Sequence, residues 1–190
     1  MNSIKEIYKI GYGPSSSHTM GPHKAAQRFK SDNPSAASFR VTLFGSLAAT
    51  GRGHLTDVAV VRALAPTSAE ILWRPDVVPE YHTNGMLFEA LDSEGKVTAS
   101  SEVYSIGGGT IVYADGSSPD EKSSIEYPHT TMSEIQRYIQ ENGLSYWEYV
   151  EQFEGSQIWE YLGTVWEQMQ ASIAEGLADD SVLPGSLHVR

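Results

Sequence analysis

"GMLFEALDSEGKVTASSEVYSIGGGTIVYAD", residues 85–115, decides the fold. Two runs with strand character flank Ser93-Glu94-Gly95, where the glycine suits a positive φ, and the pattern predicts a β-hairpin. Glycines 107–109 interrupt the second run before it resumes as "TIVYAD", which predicts a bulge or a close backbone approach. Upstream, "SFRVTLFGS" alternates Phe39, Val41 and Leu43 on one face, and "AEILWR" reads as another short strand. Helical stretches lie between these early strands. "GPHKAAQRFKSD" opens with Pro22, suited to a first helical position, and "LAATGRGHLTDVAVVRALA" is broken by Gly51 and Gly53, so its longer helix is expected from about Thr56. Ahead of them all, residues 3–10 put Ile4, Ile7 and Ile10 on one helical stripe that ends at Gly11.

The last third is helical in pattern. Thr131 with Glu134 and Ser145 with Glu148 fit capping boxes, and Gly143 fits the stop of the first helix. Ile158, Leu162, Val165, Met169, Ile173 and Leu177 then share one stripe of a long amphipathic helix. The expected fold class is therefore α+β: a mixed β-sheet with helices packed on one side, plus a C-terminal helical appendage. The expected division is residues 1–130 for the sheet part and 131–190 for the appendage.

The chain has 190 residues, a net charge of −11 and no cysteine. An acidic chain is a poor nucleic-acid binder, because phosphates demand a basic face. No apolar run approaches a membrane span, and the N-terminus lacks a signal-peptide core, so a cytoplasmic protein is expected, with no membrane partner. The charge is uneven: residues 1–62 carry eight Lys and Arg against three Asp and Glu. This favours a small anionic ligand in the first third.

That third holds "GPSSSHTMGP". A helix start presents unpaired N–H groups and a positive dipole end, and the hydroxyls of Ser15, Ser16, Ser17 and Thr19 stand in front of it. The arrangement suits a carboxylate or phosphate, and His18 adds a group that exchanges protons near neutral pH. A flexible linker holding a chance histidine is the plain alternative. "GRGHLTD" sets His54 three residues before Asp57, within reach on a helical turn, with Thr56 between; alternatively Thr56 or Asp57 caps a helix. His82 and Asn84 stand beside a glycine in "HTNGM", and Gly107, Gly108 and Gly109 offer backbone amides to a ligand. No nucleotide-binding glycine fingerprint is present, and the histidine spacing argues against a metal site held by this chain alone.

Taken in order, "GPSSSHTMGP", "LFGSLAATGRGHLTD", "HTNGM", "YSIGGGTI" and the closing "LPGSLHVR" resemble the N-terminal, or beta, domain of bacterial iron-sulfur-dependent L-serine dehydratases, in the single-chain form. The likeness runs from about residue 3 to the last residue. It implies conversion of L-serine to pyruvate and ammonia, with a 4Fe-4S cluster in the complete enzyme and none bound by this chain alone. It also implies catalytic roles for His18, His54 and His82. Substrate contacts would come from Ser15, Ser16, Ser17, Thr19, Thr56, Asp57, Asn84 and glycines 107–109. The family's cluster cysteines lie in a C-terminal alpha domain, so that domain is the expected partner, and a homo-oligomer is expected as well. The family's beta domain further resembles the allosteric substrate-binding domain of phosphoglycerate dehydrogenases. A serine-sensing module without chemistry is thus the alternative function, and an interaction domain the third.

Overall fold

In the computed structural model the described residues are 2–119 and 127–182. The closing "LPGSLHVR" and part of the polar stretch 115–130 lie outside them. The chain divides into two compact units: a sheet unit, residues 11–121, and a helical unit made of residues 1–10 and 122–190.

The sheet unit runs α1 (Gly21–Asp32), β1 (Ser38–Phe44), α2 (Gly45–Thr50), α3 (Thr56–Leu64), β2 (Ala69–Arg74), β3 (Gly85–Leu91), β4 (Val97–Gly107) and β5 (Thr110–Tyr113). A short π-type turn, Ser16–Met20, leads straight into α1. The strands form one sheet in the order β2-β1-β3-β4-β5, in which only the β1–β2 pair is parallel. The sheet is mixed, as expected from the hairpin: β3 and β4 join around Gly95 at φ 81°, where Asp92 Oδ1 accepts the Glu94 and Lys96 N–H groups. Gly107–Thr110 closes a second tight hairpin with positive φ at Gly108 and Gly109, and a register shift between Ser105 and Gly107 marks a bulge. The triple glycine is thus a turn and a bulge together.

One face of this sheet carries the core. Phe39, Val41 and Leu43 pair across the ladder with Ala90, Phe88 and Met86, and Val103 and Ile111 extend the row. Ala25, Ala26 and Phe29 of α1, Leu47 of α2 and Val60, Ala63 and Leu64 of α3 pack on it. Each large side chain closed off this way contributes roughly 2 kcal/mol relative to exposure. The opposite face is polar at its centre, where Arg40 pairs with Glu70 at 3.3 Å and Glu89 at 3.6 Å. α1 stops at Asn33 because Pro34 follows it, and Asn33 Nδ2 donates to the Phe29 carbonyl at 2.8 Å.

The helical unit holds α4 (Met132–Asn142), α5 (Tyr146–Glu154) and α6 (Gln157–Ala178). Both expected capping boxes form, at Thr131/Glu134 and Ser145/Glu148, and Gly143 ends α4. Tyr127, Ile139 and Tyr149 make a small core with Leu144, Val150 and Phe153 around it. On α6 only part of the expected stripe is covered: Ile158 and Val165 are buried, whereas Met169, Ile173 and Leu177 are exposed.

One expectation needs correcting. The N-terminal stripe does not form a helix through residue 10; only a 3-10 turn, Ile4–Glu6, is present, and Ile7 and Ile10 are exposed. One turn cannot propagate without a partner for its apolar side. Residues 1–10 group with the helical unit. The reason is Glu154, only 1 % exposed. Its carboxylate accepts from Ser3 Oγ at 2.8 Å, the Ile4 N–H at 2.8 Å and Tyr127 Oη at 2.7 Å.

Burial raises the Glu154 carboxyl, but the bonds from Tyr127, Ser3 and Ile4, with the Lys5 charge, bring it below its ordinary value. A folded-state pKa below the unfolded one gives stability that is complete above the ordinary carboxylate range and is lost as pH falls through the lowered value. Glu154→Ala strands three donors and is expected to cost about 3 kcal/mol. Thermal unfolding, with amide exchange at Ile4, checks this; an unchanged melting temperature and a protected Ile4 amide would show that the segment is held some other way.

Candidate functional site

The π-type turn is built by Ser15. Its carbonyl accepts both the Thr19 and Met20 N–H groups, at 3.1 and 3.0 Å, and its hydroxyl caps the His18 N–H at 3.1 Å. Ser16 is exposed beside it, and Ser17 Oγ lies 2.9 Å from His18 Nδ1. Two hydroxyl-to-carbonyl bonds then bolt this turn to the "GRGHLTD" loop. Thr19 Oγ1 donates to the His54 carbonyl at 2.8 Å, and Thr56 Oγ1 to the His18 carbonyl at 2.6 Å. Both threonines are fully buried. The bolts bring the His18 and His54 rings to 4.7 Å between centroids, tilted by 35°.

The loop itself is held under strain. Leu55, just ahead of α3, sits at φ 56° and ψ 34°, a left-handed conformation costly for a residue with a side chain. Neither Thr56 nor Asp57 caps α3, since the residue before the helix is Leu55 and no side-chain cap is made. His54 does not pair with Asp57 either. Its Nδ1 lies 3.0 Å from the Thr50 carbonyl, which can only accept, so Nδ1 carries a proton and the neutral ring keeps its lone pair on Nε2.

The remaining motifs reach the same helix start through short bonds. His18 Nε2 lies 3.1 Å from Ser46 Oγ at the beginning of α2. The Ser46 N–H is shared between the carbonyl and the hydroxyl of Thr83, both at 3.2 Å. His82 therefore neighbours a residue bonded to Ser46; among the described residues no contact joins its ring to the other two imidazoles. The Asn84 N–H donates to His82 Nδ1 at 3.1 Å, so that ring, when neutral, carries its proton on Nε2. Asn84 in turn bonds to Ser105 of β4, and Ser105 Oγ would lie 2.1 Å from any Cβ built on Gly21. Helix and strand meet there at the closest approach a glycine permits. Gly109 abuts Met20, 3.3 Å from its Cε to where a Cβ would stand, while Gly107 and Gly108 face open space.

Several residues expected to touch a ligand are occupied within the fold instead. Thr19 and Thr56 donate their hydroxyl protons to backbone carbonyls, and a hydroxyl has a single proton to donate, whereas the Ser15 hydroxyl accepts the His18 N–H. Ser16, Ser17, His18 and His54 have side chains at least partly exposed around the helix start. Ser46 and Ser105 were missed from sequence. Alternation along β4 puts Ser105 on the core face two residues after Val103, a position that could have been read; Ser46 carried no such sign.

The His18 pKa is lowered, chiefly by burial and next by the neighbouring His54, with the Ser46 contact opposing both. Among the described residues, no three His, Cys, Asp or Glu side chains come together as a metal would need.

Residues 3–72 and 63–116 match the family described as serine dehydratase beta chain. The chain belongs to that family. It is 32% identical to L-serine dehydratase 2 of Escherichia coli strain K12, an alignment that takes in 100% of this chain and 52% of the relative. The L-serine dehydratase of Streptomyces coelicolor is 32% identical over 99% of this chain and 52% of its own length. That of Haemophilus influenzae is 31% identical, with 100% and 52% covered. The chain thus spans about half the length of the curated relatives it matches. The family match comes in two segments that overlap at residues 63–72, where α3 leads into β2, and the Escherichia coli alignment runs over 237 positions against 190 in this chain.

Because the folded-state pKa of His18 lies below the ordinary imidazole value of 6.5, stability rises with pH between the two and levels off above 6.5. Proton NMR titration is expected to show His18 titrating below 6.5 and moving upward in a His54→Gln variant, which removes one of the two lowering influences. An unshifted His18 in that variant would mean that the rings do not sense each other.

Proposed function

We propose that this chain is the substrate-holding and proton-transferring half of an L-serine dehydratase, which converts L-serine to pyruvate and ammonia. The observation that carries the reading is the imidazole pair at the helix start, where His54 has its lone pair on Nε2 and His18 is held toward neutrality by burial. The amide groups of the first helical turn and the Ser16 and Ser17 hydroxyls suit the substrate carboxylate. His54 Nε2 accepts the Cα proton, and the Thr50 carbonyl steadies the ring as it becomes charged. His82, with its proton on Nε2, is a donor toward developing negative charge. Loss of the Cα proton and of the β-hydroxyl gives aminoacrylate, which water converts to pyruvate and ammonia.

The 4Fe-4S cluster that the family resemblance implies does not fit this chain's residues. The sequence has no thiolate to ligate iron, and the described residues form no alternative ligand group. No step is therefore derived through it, and activation of the leaving hydroxyl is assigned to the half of the relatives that this chain does not span. That half is the proposed partner, and a cytoplasmic, oligomeric enzyme is the proposed setting. No helix among the described residues is long and apolar enough to cross a membrane.

The chain alone, supplied anaerobically with iron and sulfide, is expected to form no pyruvate from L-serine. Joined to the matching half of a relative, it is expected to do so, and His54→Ala should then lower turnover by roughly 100-fold or more while moving the melting temperature little. Pyruvate from the chain alone, or a destabilised variant with normal turnover, would overturn the assignment.

A further inference from the structure

Residues 75–84 connect β2 to β3 and carry His82 near their end. Backbone bonds hold this connection at two places. The Val77 carbonyl accepts the Gly45 N–H at 2.8 Å, and the Thr83 carbonyl accepts the Ser46 N–H at 3.2 Å. Between these two points, among the described residues, the segment 78–81 is held by packing and not by hydrogen bonds.

That packing is built around a glycine. A Cβ on Gly85 would stand 2.7 Å from Pro79 Cγ and 3.3 Å from Tyr104 Cε1, so these two side chains use the space that the glycine leaves. Gly85 pairs with Tyr104 across β3 and β4, and alternation turns Tyr104 away from the core side that Val103 occupies. A large ring beside a strand glycine covers the backbone that the glycine would expose. Tyr81 then stacks on Tyr104, with 4.9 Å between ring centroids and a tilt of 39°. Tyr104 is 5 % exposed and Tyr81 54 %. The Tyr104 hydroxyl donates to Glu102 Oε1 at 2.7 Å. Burial, and next the Glu102 carboxylate, push this phenol up to about 12, so it remains a donor at neutral pH and its ring stays tied to β4.

We propose that Tyr81 is a positioning residue for His82: its stack on the fixed Tyr104 ring sets where the His82 imidazole stands. The proposal rests on the reading above that makes His82 a donor. The two residues are consecutive, so any shift of the Tyr81 backbone carries His82 with it. The Asn84 N–H on His82 Nδ1 keeps the proton on Nε2, but it comes from two residues along the same segment. That bond therefore moves with the segment and chooses a tautomer without fixing a place. The Tyr81 stack, by contrast, reaches a different strand, β4. A donor aimed at developing charge loses effect with small displacements, so a contact that does no chemistry still governs the rate.

The test uses the full chain joined to the matching half of a relative, with L-serine as substrate. Tyr81→Ala is expected to lower kcat at least about fivefold, with KM nearly unchanged, because the residue acts on the donor and not on the bound carboxylate. Tyr81→Phe keeps the ring and should restore kcat. Tyr81 is half-exposed and lies outside the apolar core, so the melting temperature should move little, and rates are read per folded molecule. His82→Ala is expected to lose roughly 100-fold, and adding Tyr81→Ala to it should cause no further loss, since the two act as one unit. An unchanged kcat in Tyr81→Ala, no rescue by Tyr81→Phe, or an undiminished extra loss in the His82→Ala background overturns the proposal and leaves the His82 reading standing. Normal turnover in His82→Ala removes both.

Discussion

Two hydroxyl-to-carbonyl bonds, from Thr19 to His54 and from Thr56 to His18, hold the candidate site together. Each joins a side chain of one segment to the backbone of the other, so neither the helix start nor the glycine-broken loop can shift alone. Both threonines are fully buried, where a hydrogen bond is stronger and its loss dearer. The strain at Leu55 persists for the same reason: a left-handed leucine survives only where its surroundings over-determine it. Removing the bolts would let residues 54–56 relax and the two imidazoles separate.

Outside the bolts, the site is organised by the sheet. Ser46 stands where β1 passes into α2, Thr83 just before β3, and Ser105 near the end of β4. β1 and β3 are adjacent and antiparallel, as are β3 and β4. The end of one strand therefore lies beside the start of the next. Segments about forty and twenty residues apart meet at one edge without any long connection. The apolar core packs Leu43, Met86 and Val103 just behind that edge.

Much of this was legible in the sequence because it is local. Both capping boxes need only residues three apart, and the β3–β4 hairpin needs only its glycine and two alternating runs. The long α6 was legible from its stripe, but not how little of it is covered: Leu177 is 85 % exposed. The N-terminal stripe misled for a related reason. Periodicity reports which residues share a side, not whether anything packs against it, and the buried Glu154 that captures Ser3 and Ile4 lies 150 residues away. In the candidate site, the motifs name segments that the fold brings near one another, while the bonds within them could not be read from residue types. Thr19 looks like a ligand donor in a string of hydroxyls and Thr56 like a helix cap, and only their carbonyl partners show them to be fasteners. Asp57 was the obvious mate for His54, yet the Thr50 carbonyl four residues earlier does that work, a backbone group that no pattern of residue types can display.

The contact between Gly21 and Ser105 has a consequence for how this protein can change over generations. Every substitution at position 21 adds a Cβ, which would fall 2.1 Å from the serine oxygen and 2.9 Å from its Cβ. No single replacement there is tolerated without displacing either the helix start or the strand. Position 105 must shrink first, and glycine is the one residue smaller than alanine. Drift at these two sites is thus confined to an ordered path with a loosened strand as its intermediate, and descendants of a common ancestor should differ at 21 only where 105 differs as well.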